Sequence, residues 1–266
     1  MGEQTAIEWT DATWNPVTGC TKVSAGCDNC YAAAFARRRL KHTYLLRRPA
    51  VETDENEADP FAVRLWPERL AQPERWSRPR MIFVNSMSDL FHKDIPVDYV
   101  RRIFEVMLAC DRHIYQVLTK RPARAANFWA SHAKALGYAE VPAHIWLGTS
   151  IENQRVAYRC SHLVRVPAAV RFLSCEPLLG PLHLDLEGIH WVIVGGESGP
   201  NHRSMDPDWS RTIREQCRRR SVPFFFKQWG GRTPKAGGRL LDGREWNEFP
   251  MVMNSEPAAA AVVSWR

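Results

Sequence analysis

No apolar run in this chain approaches the roughly 20 residues needed to span a bilayer. Met1 to Trp14 is polar and acidic and contains no apolar h-region, so neither a membrane span nor a secretory signal is expected. Low-complexity tracts and close internal repeats are also missing, which sets aside disordered tails and solenoids. Without export the expected compartment is the reducing cytoplasm, where disulfides are rare. The seven cysteines are then read one by one, as core residues or metal ligands.

What is present suits a globular protein. At 266 residues the chain can bury a sizeable core, as one domain of barrel size or as two. The formal charge of +7 favours polyanionic partners such as nucleic acid. Basic residues gather at Arg37, Arg38, Arg39 and Lys41 and again at Arg218, Arg219 and Arg220. Solvated helix C-termini, which also favour cations, account for such clusters equally well.

A unit recurs along the chain: a short apolar strand, a polar turn and an amphipathic helix. Strands are expected at Ala12–Asn15, Met81–Asn85, Ile114–Thr119, Ile145–Thr149, Val170–Ser174, Trp191–Gly195 and Pro223–Lys227. Most are nearly continuous apolar runs, as in parallel sheets covered on both faces. Helices are expected at Tyr31–Leu40, Asp98–Ala109, Asn153–Val166 and Asp206–Arg220, the last with Asp206 as N-cap and Pro207 at its first position. This alternation predicts an α/β fold with parallel strands, a complete or partial (β/α) barrel; a doubly wound open sheet is the alternative. The expected organisation is one barrel-like domain over 1–250, with an insertion at about 42–80 as a candidate cover for the barrel mouth and a tail at 251–266. Within the insertion, 61–65 reads as an extra strand and 67–70 as a helical turn; 239–246 reads as a hairpin.

The sharpest chemical signal is Cys20, six intervening residues, Cys27, two more, Cys30, then Tyr31. Thiolates select zinc, copper(I) or iron–sulfur clusters, and these three precede an Ala-rich helix whose N-terminus favours anions. A closed structural zinc site uses four ligands, whereas three leave a position open. A [4Fe-4S] cubane held by three cysteines leaves one iron free for S-adenosylmethionine, and C-x2-C followed by an aromatic looks like the end of radical S-adenosylmethionine motifs. The first gap departs from the common form, having six residues instead of three. A zinc site completed by a distant Cys or His is the alternative. Cys110, Cys160 and Cys217 read as core; Cys175, at a strand end, is the thiol that would close a four-cysteine site.

A second signal is the polarity of every predicted strand's C-terminal end, where α/β folds build active sites. Asn85, Ser86 and Asp89 follow one strand, Lys120 and Arg121 the next, then Glu152, Glu176, Glu197 and Gln228. Glu152, Glu176 and Lys120 are the catalytic candidates, as acid–base or orienting groups. Asn85, Ser86, Asp89, Gly195, Gly196, Glu197 and Gln228 are the cofactor-binding candidates, the glycines by letting backbone approach a ligand. Each has a structural reading as well, a helix cap or an ion pair. His92 reads as a loop residue, and Trp229 as a platform for a base or adenine.

The cysteine stretch is flanked by Ile7-Glu8-Trp9-Thr10 and Thr13-Trp14-Asn15-Pro16. Further on come Asn85-Ser86-Met87-Ser88-Asp89-Leu90-Phe91-His92, Trp146-Leu147-Gly148-Thr149-Ser150-Ile151-Glu152-Asn153, Trp191 to Gly199 and Phe224 to Gly230. Together, over about 5–250, these resemble the three-cysteine-motif phage protein family, a domain of unknown function. That family is similar to radical S-adenosylmethionine enzymes, including the spore photoproduct lyase group that acts on DNA. The resemblance implies a barrel of the radical S-adenosylmethionine type, an iron–sulfur cluster, S-adenosylmethionine, a nucleic acid or nucleotide substrate and a three-cysteine-motif partner protein.

Overall fold

The computed structural model describes residues 5–251; apart from Met251, the expected tail lies outside the described residues. In chain order the elements are β1 (Ala12–Trp14), β2 (Val17–Thr18), α1 (Tyr31–Arg39), α2 (Lys41–Leu45), α3 (Asp54–Ala58), β3 (Arg64–Leu65), β4 (Met81–Val84) and α4 (Val97–Ala109). They continue with β5 (Ile114–Thr119), α5 (Pro122–Leu136), β6 (Ile145–Ser150), α6 (Arg159–Leu163), β7 (Arg171–Cys175), β8 (Trp191–Gly195), α7 (Pro207–Arg219) and β9 (Phe224–Gln228). Seven strands form one parallel sheet in the order β1-β4-β5-β6-β7-β8-β9. Because the order never reverses, there is no topological switch point, and the doubly wound alternative falls. The sheet curls into a half-barrel with β1 and β9 as its edges.

The strand sequences explain the two faces. With a side-chain period of two, Ile82 and Val84 of β4, Val192 and Val194 of β8, and Phe224 and Phe226 of β9 turn toward the helices. Met81, Phe83, Trp146, Phe172, Trp191, Ile193 and Phe225 turn to the inner face and pack with Trp9. Gly148 lies on that inner face because a Cβ there would sit 2.4 Å from the Phe172 ring.

The expected helices hold with small shifts, except one. Instead of a continuous helix over 153–166, a 3-10 turn at Gln154–Val156 precedes the short α6. Arg159 draws this segment back over the strand end, donating to the Ser150 carbonyl at 2.9 Å and to Glu152 at 2.8 Å. The sequence reading left α5 unassigned; it starts on Pro122 and ends at left-handed Gly137. Between β7 and β8 the chain runs without a helix, anchored by buried Leu178, Leu182 and Leu186. The expected hairpin at 239–246 is reduced to one bridge, Leu241 to Arg244.

Residues 42–80 pack against the side of the cysteine segment. β3 pairs antiparallel with β2, and Cys20 N–H donates to the Phe61 carbonyl at 3.0 Å. Fully buried Arg64 ties the insertion to itself through the carbonyls of Arg47, Asn56, Asp59 and Ala62. Gly19, at φ 88°, is required here, since a Cβ would lie 2.0 Å from the Ala62 carbonyl oxygen. Among the described residues, no helix is long and apolar enough to cross a membrane.

Candidate functional site

Cys20, Cys27 and Cys30 are partly buried free thiols on one loop, between β2 and α1. That loop has little regular structure, only a 3-10 turn at Ala25–Cys27. It is held by carboxylates from three different strand ends, each paired to an arginine.

Glu152, just beyond β6, is fully buried and accepts from the Ser24 hydroxyl, the Gly26 N–H at 3.2 Å and Arg159 at 2.8 Å. The contact needs glycine at 26, because a Cβ there would lie 2.9 Å from the Glu152 Oε1. Glu197, beyond β8, accepts from Asn29 Nδ2 at 3.0 Å and from the backbone N–H and Nε of Arg203, both at 2.9 Å. Arg203 passes the restraint on to the Ala25 carbonyl at 2.9 Å. Asp89, beyond β4, accepts from Thr119 Oγ1 at 2.6 Å, Lys120 N–H at 3.0 Å and Arg121 Nη1 at 2.8 Å. Arg121 in turn donates to Cys20 Sγ at 3.5 Å and to the Thr21 carbonyl at 3.1 Å. His92 closes this corner: its Nδ1 accepts from Asp94 N–H at 3.2 Å, so the proton sits on Nε2, 2.8 Å from Thr21 Oγ1.

Beside the loop, the upper inner face of the sheet turns polar. Lys227 follows Phe225 by the period of two, and its Nζ meets Glu176 at 2.6 Å. Gly195 makes room for that pair, as its Cβ would lie 3.2 Å from the Glu176 carboxyl carbon. Lys120 stands close enough to Glu152 to favour its charged form. Ser86 exchanges hydrogen bonds with Asn15, and its carbonyl accepts from the Tyr31 hydroxyl. Tyr31 therefore starts α1 with its ring half in solvent and its hydroxyl directed inward. Asn85, at φ 60°, is buried, and neither its amide oxygen nor its nitrogen has a hydrogen-bond partner among the described residues.

Two candidates are used by the chain itself. At Gly196 a Cβ would lie 1.9 Å from the Trp229 carbonyl, so its closeness is to β9's exit. Gln228 is buried and donates to Ser198 at 3.0 Å. Trp229 is occupied too, its Nε1 on the Leu240 carbonyl at 2.9 Å and its ring against Phe226.

The electrostatics follow from burial and pairing. For Glu152, burial acts upward but is outweighed by the Lys120 charge, the Ser24 hydroxyl and Arg159, and the carboxyl ends below its ordinary range. For Glu197, burial is outweighed by hydrogen bonds from Arg203 and Asn29. Burial and then the Asp89 charge push the Cys20 thiol up to about 11, against Arg121. Burial holds His92 down at about 4.

Cys175 is fully buried on the helix side of the sheet, its neighbouring thiols being Cys217 and Cys160. It does not join the loop cysteines. Among the described residues no group of three or more His, Cys, Asp or Glu is placed to hold a single metal ion. The sequence reading did not single out Ser24, Asn29, Arg159, Arg203 or the Lys227–Glu176 pair. Only Lys227 carried a usable signal, a charge breaking the apolar run of Phe224 to Phe226 at an inward position.

No curated protein matches the chain. Among solved structures, it is similar to a spore photoproduct lyase complexed with dinucleoside spore photoproduct, at 12% identity and a TM-score of 0.42, over 77% of this chain and 60% of that one. A double mutant of spore photoproduct lyase with bound AdoMet and dinucleoside spore photoproduct matches at 14% identity and a TM-score of 0.38, over 75% and 58% of the two chains. The chain thus spans about 60% of the length of these structures. A family described as "Protein of unknown function (DUF5131)" matches residues 4–250, and the chain belongs to that family.

Proposed function

We propose that this chain binds a [4Fe-4S] cluster through Cys20, Cys27 and Cys30 and uses it with S-adenosylmethionine for radical chemistry on a nucleic acid or nucleotide. The observation that carries this reading is the bracing of one three-thiol loop by Glu152, Glu197 and Asp89 from three strand ends, beside the polar inner mouth. Three soft donors and no fourth thiol suit a cluster with an open iron. A closed structural zinc site uses four ligands, and Cys175, the thiol that would complete one, lies in the helix-side core beside Cys217 and Cys160. A cubane takes each of three thiolates on a separate iron and leaves the fourth iron open.

When bound, such a cluster supplies an electron to S-adenosylmethionine, whose reductive cleavage starts radical chemistry. The chain's own part is to position and to exclude water. Glu152, with both oxygens committed to Ser24, Gly26 and Arg159, positions the cysteine loop. Glu197 and Asp89 do the same through Arg203 and Arg121. Lys227, Glu176 and Lys120 offer the charges that match an amino-acid zwitterion or a phosphate, and the unpartnered amide of Asn85 offers a donor and an acceptor. Beneath them the aromatic inner face keeps water out from below. The reading places the protein in the cytoplasm, within the three-cysteine-motif phage group and with a partner protein of that name.

The test is anaerobic purification with iron, sulfide and zinc quantified, in wild type, Cys27→Ala and Cys175→Ala. Iron and sulfide lost only in Cys27→Ala, together with release of 5′-deoxyadenosine on adding dithionite and S-adenosylmethionine, is the expected result. Stoichiometric zinc without iron, or a loaded cluster that never cleaves the cofactor, defeats it.

A further inference from the structure

The first helix after the cysteines presents an outer face that nothing in the described structure covers. Along α1, Ala32 and Ala36 are buried, while Tyr31 and Phe35 are 56% and 45% exposed. Residues four apart on a helix are neighbours, so the two rings stand in line, separated by about 6 Å of helix rise. Arg38 and Arg39 follow at three and four residues from Phe35 and extend the same stripe. Both are exposed. Arg37 pairs with Asp59 at 3.7 Å, but Arg38 and Arg39 have no ion pair among the described residues. The stripe begins at the site: the Tyr31 hydroxyl reaches the Ser86 carbonyl at the end of β4.

Single exposed apolar residues are ordinary, but exposed apolar groups that stand together mark contact sites, and two aromatics in a row ahead of two guanidinium groups without an ion pair make a specific pattern. Stacking faces combined with cations that follow a backbone are how proteins hold single-stranded nucleic acid. Anionic phosphates complement Arg38 and Arg39, and the rings of Tyr31 and Phe35 offer one base each a platform.

We propose that the outer face of α1, formed by Tyr31, Phe35, Arg38 and Arg39, binds single-stranded nucleic acid and leads it to the mouth of the half-barrel. This rests on the nucleic-acid part of the reading above and is independent of the cluster.

The test is fluorescence anisotropy with a labelled oligothymidylate over a range of salt, on the full chain with and without reconstituted iron. Phe35→Ala is expected to weaken binding about tenfold or more. Arg38→Gln/Arg39→Gln is expected to weaken it and to flatten the log–log salt slope by about 1.4. Arg219→Gln/Arg220→Gln removes equal charge at the end of α7 and is expected to leave both nearly unchanged. All these positions are exposed, and matching thermal midpoints confirm that each variant folds. Wild type that binds while the α1 variants bind as well as it does, or no worse than the α7 variant, overturns the stripe alone. Wild type that binds no single strand in either state overturns the stripe together with the nucleic-acid reading. Loss of affinity in the α1 variants for phosphatidylserine vesicles, with none for oligonucleotide, assigns the face to a membrane and also overturns it.

Discussion

The two ends of the inner face of the sheet are built from opposite materials. At the N-terminal end, Trp191 is fully buried, with ring centroids 5.8–6.3 Å from Phe172, Trp146, Phe225 and Trp9, and Phe249 at 5.0 Å. At the C-terminal end, on the same strands, stand Glu176, Lys227 and Gly195, with the braced cysteine loop beside them. One end is close-packed and apolar, the other charged and only partly buried. The difference separates the work of folding from the work of the site, as expected where strand C-termini carry function.

The comparison is sharpest if substitutions at the two ends fail in different ways. Trp191→Ala is expected to cost about 3–5 kcal/mol in denaturant unfolding, with metal content per folded molecule unchanged. Loss of iron at constant stability breaks the division. Glu152→Ala, near the other end, is expected to cost about 3 kcal/mol, because Arg159 is left buried without its partner. Its distinguishing mark is reduced iron and sulfide loading, since Ser24 and Gly26 lose their acceptor. Glu152→Gln should recover part of both.

Lys227→Met is expected to cost less, about 1–2 kcal/mol, by leaving the half-buried Glu176 carboxylate unpaired. Adding Glu176→Gln should restore stability without restoring S-adenosylmethionine binding, measured by equilibrium dialysis. Restored binding would show that the pair serves only the fold.

Acid provides the smallest and most local probe. His92 in the folded chain sits at about 4, below its ordinary 6.5, so the unfolded chain binds the extra proton first and stability falls as pH drops from 6.5 toward 4. His113, His144 and His190 are lowered as well. His92→Gln should therefore make the fall of the thermal midpoint in that window shallower without abolishing it. Glu152 and Glu197 are held below the usual carboxylate range, so their contribution is present above about 4.5 and disappears only below it. An unchanged slope in His92→Gln would remove His92 from the bracing of Thr21.

Much of this architecture could be read in the residues. Nearly continuous apolar runs marked most strands of the large sheet within a residue or two, because strands covered on both faces need them. Sequential strand–helix units made a parallel sheet the natural result. The helix over 153–166 breaks at Ala157 and Tyr158, just before Arg159, whose buried ties to Ser150 and Glu152 no helical period encodes. The three cysteines and the polar strand ends were visible by type and position. Their relation was not: the carboxylate contacts to the loop span 126 residues from Gly26 to Glu152 and 168 from Asn29 to Glu197.

By itself, then, the sequence determined the strand succession, the spacing of the three thiols and the concentration of charge at one end of the sheet. Each is a local or periodic property. The tertiary structure decided which charges pair at the strand ends and which hold the loop, and placed Cys175 in the helix-side core beside Cys217 and Cys160, apart from the other three. A carboxylate at a strand end has the same local sequence in either role, and only the packing of distant segments gives it a partner.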